Sequence, residues 1–169
     1  MKQAQAQFQK KEIIAVDCDA ARQLHQSGFG VKGPKGSVFF SLVESLYLME
    51  KGKLSVRSKR KDYEFDDLFV KLRRKELYVV YKKLRDAGHK VHSGLKFGGD
   101  FRVYEKGSVV GKDHAKWIVH AVNDSQRFTW KEFAALARVA HSTRKHVLFG
   151  VVDSEYDVTF FDVDWKRVS

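Results

Sequence analysis

A chain of 169 residues with 43% hydrophobic content carries enough apolar surface for one good core or two small ones, which excludes a disordered polymer. Lysine and arginine number 32 against 21 aspartates and glutamates, a formal charge of +11, and a surface this basic draws polyanions, nucleic acid first, by direct contact and counterion release. The single cysteine, Cys18, excludes an internal disulfide, residues 1–11 lack the apolar stretch of a signal peptide, and no run approaches the roughly 18 apolar residues of a membrane span, so a soluble cytoplasmic protein is expected.

Glu12 to Val16 is short, apolar and β-branched and reads as the opening strand, with a helix following around Ala20 to Gln26. The glycines and the sole proline between Gly28 and Gly36 make that stretch a loop or tight hairpin, and Val38 to Phe40 a short strand. Ser41-Leu-Val-Glu44 is a capping box ahead of an apolar run to Met49, and Gly52 supplies a stop. Val56 to Asp62 is strongly basic, with Arg57, Lys59, Arg60 and Lys61. A second helical stretch starts at Asp66 and Asp67 and continues or restarts from Lys75 to Ala87, closed by Gly88; Leu77, Tyr81 and Leu84 mark its core face.

After Gly88 the texture becomes strand-like, with short β runs broken by glycines from Lys90 to Val110 and an apolar strand from Trp117 to Val122. Thr129-Trp-Lys-Glu132 is another capping box, and Phe133, Leu136, Ala137 and Ala140 form the apolar stripe of its helix. Val147 to Val152 and Val158 to Val163 read as paired strands joined by an acidic loop, Asp153 to Asp157. The reading is α+β in two domains, a mostly helical 1–88 holding most of the basic excess and a strand-rich 89–169.

The common zinc, phosphate-loop and serine-hydrolase motifs are absent. RNA, however, carries its own nucleophile in the 2′-hydroxyl, so a base, an acid and a cation suffice to cleave it without a metal or other cofactor. Tyr104, His114 and Lys145 offer those three kinds of group. Taken singly, each also fits an ordinary role: an edge tyrosine, a loop histidine, a lysine at a helix C-terminus.

The ordered set Phe97-Gly-x-Asp100-Phe101-x-Val103-Tyr104, then His114, then Arg138-x-x-His141-Ser142-x-Arg144-Lys145 and Val151-Val152-Asp153 with Asp157-Val158-Thr159 resembles the C-terminal catalytic domain of archaeal tRNA-splicing endonucleases. Leu42-x-Glu44-x-x-Tyr47-Leu48 and Tyr81-x-x-Leu84-Arg85-x-x-Gly88 are similar to that family's N-terminal domain, so the likeness spans nearly the whole chain. It implies a mixed α/β N-terminal domain followed by a small restriction-endonuclease-like α/β domain. It also implies cleavage of precursor tRNA at a bulge-helix-bulge, leaving 2′,3′-cyclic phosphate and 5′-hydroxyl ends.

By position, Tyr104 is then the general base, His114 the general acid and Lys145 the cation that stabilises the phosphorane. A phenol is mostly protonated at neutral pH, so Tyr104 in that role calls for positive charge beside it, and Lys145 is the candidate. Arg138 matches one arm of the family's clamp on a bulge base; for the other arm the tail offers Trp165, Lys166 and Arg167. The resemblance further implies a homotetramer, or a heterotetramer with a second endonuclease subunit, in which the last strand pairs across a two-fold and the acidic loop enters a basic cleft. Two other readings are a non-catalytic structural or RNA-binding subunit of the same assembly, and a metal-dependent DNA nuclease built on Asp100 and its neighbours.

Overall fold

The computed structural model describes residues 3–9, 12–16, 18–109 and 111–166. The chain divides into two compact units, Met1–Tyr78 and Val79–Ser169.

The first unit is built on a sheet. Strands β1 (Ala4–Gln9), β2 (Glu12–Ala15), β3 (Val31–Lys32), β4 (Val38–Phe40), β5 (Leu54–Arg57) and β6 (Asp62–Tyr63) lie in the order β3-β4-β2-β1-β5-β6. The first half is thus the mixed α/β domain that the resemblance implies, with more strand than a mostly helical reading allows. The stretch Ala-Gln-Ala-Gln-Phe-Gln looks polar by composition, yet its period of two places Ala4 and Ala6 in the core and Gln5, Gln7 and Gln9 in solvent. β1 pairs antiparallel with β2 and parallel with β5.

Three helices accompany that sheet: α1 (Asp19–Gln26), α2 (Leu42–Glu50) and α3 (Phe65–Phe69). Helix α2 buries every residue from Val43 through Leu48, Glu44 and Ser45 included, so it runs through the core rather than over its surface. Its capping box forms as read: Ser41 Oγ accepts the Glu44 N–H, and Glu44 accepts the Ser41 N–H in return. The other oxygen of Glu44 accepts the N–H of Gly30 at 2.9 Å, tying the glycine-rich loop to the helix start. Gly30 has φ +65°, and a Cβ there would lie 2.6 Å from Val38 Cγ1, so the turn requires glycine.

The second unit begins within α4 (Glu76–Asp86) and contains a sheet of β7 (Val91–Ser93), β8 (Phe101–Val103), β9 (Trp117–Asn123), β10 (His146–Val152) and β11 (Val158–Val163), in the order β11-β10-β9-β8-β7. β9 and β10 are parallel and joined through α5 (Trp130–Ser142), a βαβ unit; the other pairs are antiparallel. Parity divides the faces. Ile118, Val122, Val147 and Phe149 pack with Ala140, Phe133 and Leu136 of α5 on one side. On the other, Tyr81 of α4 meets Phe101 with ring centroids 5.6 Å apart. Gly150 lets α4 approach closely on that side, since a Cβ there would lie 2.7 Å from Val80 Cγ2. This is the small α/β domain that the resemblance implies for the second half.

Candidate active site

Backbone register decides where the candidate residues lie. Val103, Trp117 and His146 form one row of Cα partners at the ends of β8, β9 and β10. Hydrogen bonds carry the pairing one residue further: Lys116 N–H to Val103 O, His146 N–H to Lys116 O, and Tyr104 N–H to Lys90 O. Tyr104 and Lys145, each one residue beyond its strand, therefore sit at the same end of the sheet, two strand spacings or about 9.5 Å apart along it. Both have the parity of Arg102, Ile118 and Val147, so both belong to the α5 face.

Tyr104 is 4% exposed. Its carbonyl accepts the Nδ1–H of His89 at 2.8 Å, and its ring meets the His92 ring edge-on at 5.8 Å; His92 is the Cα partner of Arg102. The tyrosine is thus held through its backbone on one side and by an imidazole on the other.

Lys145 is delivered by the way α5 ends. Arg144 adopts a left-handed conformation, φ +55°, which lets the Lys145 N–H turn back to Ala140 O at 2.9 Å, the closing bond of a Schellman motif. A non-glycine residue in that region stores a modest strain, here spent on aiming the lysine. Its Nζ donates to Thr143 O at 2.8 Å and lies 5.0 Å from the centre of the Phe97 ring. Burial, and secondarily the charge of Arg102, push its pKa below the ordinary lysine value.

His114 lies on the segment that enters β9, three residues before Trp117, and is exposed. Among the described residues none hydrogen-bonds to its side chain or touches it through a ring, so the structure brings Tyr104 and Lys145 to one face and leaves His114 on an adjoining loop. Arg102 and His92, which the sequence reading did not single out, share this region of the sheet. The signal for Arg102 was its place two residues before Tyr104, which in a strand means the same face.

Arg138 is exposed on α5, one turn before His141, and the ring of Trp165 packs on the His141 ring with centroids 4.4 Å apart while remaining 47% exposed. Lys166 follows it in solvent, and Arg167 lies outside the described residues. Asp100, named for a metal, and two other aspartates of this half are engaged with backbone. Asp100 accepts the Ala121 N–H, Asp113 the Val109 N–H, and Asp153 the N–H groups of Glu155 and Asp157. Among the described residues no three His, Cys, Asp or Glu side chains cluster as metal ligands.

The family model of the tRNA intron endonuclease catalytic C-terminal domain matches residues 75–160, and that of the tRNA intron endonuclease N-terminal domain matches residues 4–69. The chain belongs to the tRNA intron endonuclease family. Its relatives include tRNA-splicing endonucleases of Thermococcus kodakarensis, 37% identical over 92% of this chain and 94% of that one, and of Pyrococcus horikoshii, 40% identical over 88% of each. The Nanoarchaeum equitans protein of that name is 38% identical over 75% of this chain and 88% of its own length. As a tRNA intron endonuclease the chain holds both family domains, and the groups just described all lie within its second unit. No helix among the described residues is long and apolar enough to cross a membrane.

Proposed function

We propose that this protein cleaves precursor tRNA at the bulge-helix-bulge of intron boundaries by metal-independent transesterification. Tyr104 takes the proton of the 2′-hydroxyl as its oxygen attacks phosphorus. His114 gives a proton to the departing 5′-oxygen, and Lys145 neutralises charge on the phosphorane. The bond formed is 2′-O–P and the bond broken is P–O5′, which leaves a 2′,3′-cyclic phosphate and a 5′-hydroxyl. The observation that carries this reading is the shared end and face of Tyr104 and Lys145, set by register, with the unbonded imidazole of His114 on the segment entering that same end.

In this reading residues 1–88 form the N-terminal domain and 89–169 the catalytic one. Arg138, Trp165 and Lys166 supply the surface for unpaired bases, since A-form RNA is read at its bulges rather than in its narrow major groove. The half-exposed Trp165 ring supports it as a stacking platform. Assembly into a tetramer, of this chain alone or with a second endonuclease subunit, is supported by β11. It is an edge strand bordering an apolar groove of Val122, Phe128, Phe133, Phe149, Phe161 and Val163.

Single-turnover cleavage of a minimal bulged RNA tests the chemistry. EDTA leaves the rate unchanged, and a 2′-deoxy residue at the cut site abolishes it. His114→Ala cripples normal RNA but recovers much of its rate on a substrate with a 5′-sulfur leaving group, which departs without protonation. Loss of activity in EDTA, or no recovery with sulfur, would overturn the assignment.

A further inference from the structure

The α5 face of the second unit holds a cation that the scheme above does not use. Arg102 lies mid-strand in β8, between its Cα partners His92 and Ile118, while its neighbours Phe101 and Val103 are buried toward the opposite face. Its Nε is fully buried, and among the described residues no acceptor bonds it and no carboxylate pairs with the guanidinium. Asp100, the nearest acid in sequence, spends a carboxylate oxygen on the Ala121 N–H. Arg102 is half-buried, and an Nε–H removed from water without an acceptor is unfavourable.

Nor does its surroundings' charge relieve it. Lys145 shares the face and lies near enough for each cation to oppose the other, and Phe97 walls the lysine on one side. Two cations on one face, with no carboxylate paired to either among the described residues, stand beside the edge-on pair of His92 and Tyr104 and suit an entering anion. A planar guanidinium matches phosphate oxygens in a way that an ammonium cannot.

We infer that Arg102 is a second cationic catalytic residue, binding the non-bridging oxygens of the scissile phosphate together with Lys145. The assignment rests on the RNA-cleaving reading of the same site. It differs from a structural role in one respect: the arginine meets the phosphate most strongly when charge accumulates in the phosphorane, so its removal lowers the chemical rate more than RNA affinity.

The test uses the full chain and its Arg102→Gln and Arg102→Lys variants. Four quantities are measured: single-turnover cleavage of a bulge-helix-bulge RNA, binding of its 2′-deoxy analogue, cleavage of RNAs bearing a single non-bridging sulfur of either configuration at the cut phosphate, and the melting temperature. Arg102→Gln is expected to slow cleavage about 10²–10³-fold while affinity for the analogue changes far less. The melting temperature holds or rises, and the wild-type preference between sulfur diastereomers diminishes; Arg102→Lys falls between. A variant that cleaves within about threefold of wild type, or one that loses rate together with its melting temperature and keeps the full diastereomer preference, overturns this role alone. A wild-type protein that cuts no bulged RNA overturns the function reading and this assignment with it.

Discussion

Lys145 is held in a setting that opposes its own charge. Burial first, and Arg102 second, depress its pKa, so between the folded and unfolded values the native state binds fewer protons than the unfolded chain. The sign follows: the ammonium costs stability below the folded pKa, and the cost is relieved as pH rises through the window up to the ordinary lysine range. The side chain is only partly removed from solvent, so the effect is small. Lys145→Met should therefore melt slightly above wild type at neutral pH, with the difference closing toward alkaline pH, while cleavage falls about 10²–10³-fold. Thermal melts across pH check it, and a lower melting temperature at pH 7 would show that the lysine is a structural asset. Tyr104, His114 and Lys145 could be named from residue order. For Arg102 the sequence carried only its parity with Tyr104, because nothing local says that a strand arginine lacks a carboxylate.

At the scale of elements, the helix starts were the most legible features. Ser41 with Glu44 and Thr129 with Glu132 both form the reciprocal capping bonds that their spacing announced, since a capping box is a local matter of four residues. The paired ends of β10 and β11 were legible for a similar reason, as β-branched runs around a turn. The strand β1 was not, because alanine and glutamine are weak strand formers and only pairing on both edges makes them one. The second task of Glu44 was equally hidden: its bond to Gly30 joins residues fourteen apart. Glu44→Ala removes the acceptor from two backbone N–H groups and should cost about 2–3 kcal/mol, against about 1 kcal/mol for Ser41→Ala, which removes the cap alone. Urea unfolding of the two variants measures this, and equal losses would mean that the Gly30 tether contributes nothing.

For the whole molecule, charge is distributed against a basic mean. The acidic turn Asp153 to Asp157 is exposed and shaped by its own residues: Asp153 accepts two backbone N–H groups and Tyr156 takes φ +65°. Asp153 shapes the turn through its side chain, and the proposed docking against a basic surface draws on the charges of Glu155 and Asp157. Replacing Glu155 by Gln and Asp157 by Asn, while keeping Asp153 to preserve the turn, should reduce a tetramer to dimers in sedimentation at physiological salt. An unchanged mass would remove the docking proposal.

Local chemistry written in the chain determined the caps, the turns, the basic balance, the βαβ pattern of the second half and the kinds of group available for RNA cleavage, because each depends on neighbours within a few residues. Tertiary structure alone decided that the first half is built on a sheet, that Asp100 is a backbone anchor and that Arg102 joins Lys145 on the face of Tyr104. Strand pairing brings together residues dozens of positions apart, and the cost or use of a buried charge is set by what those distant partners place beside it.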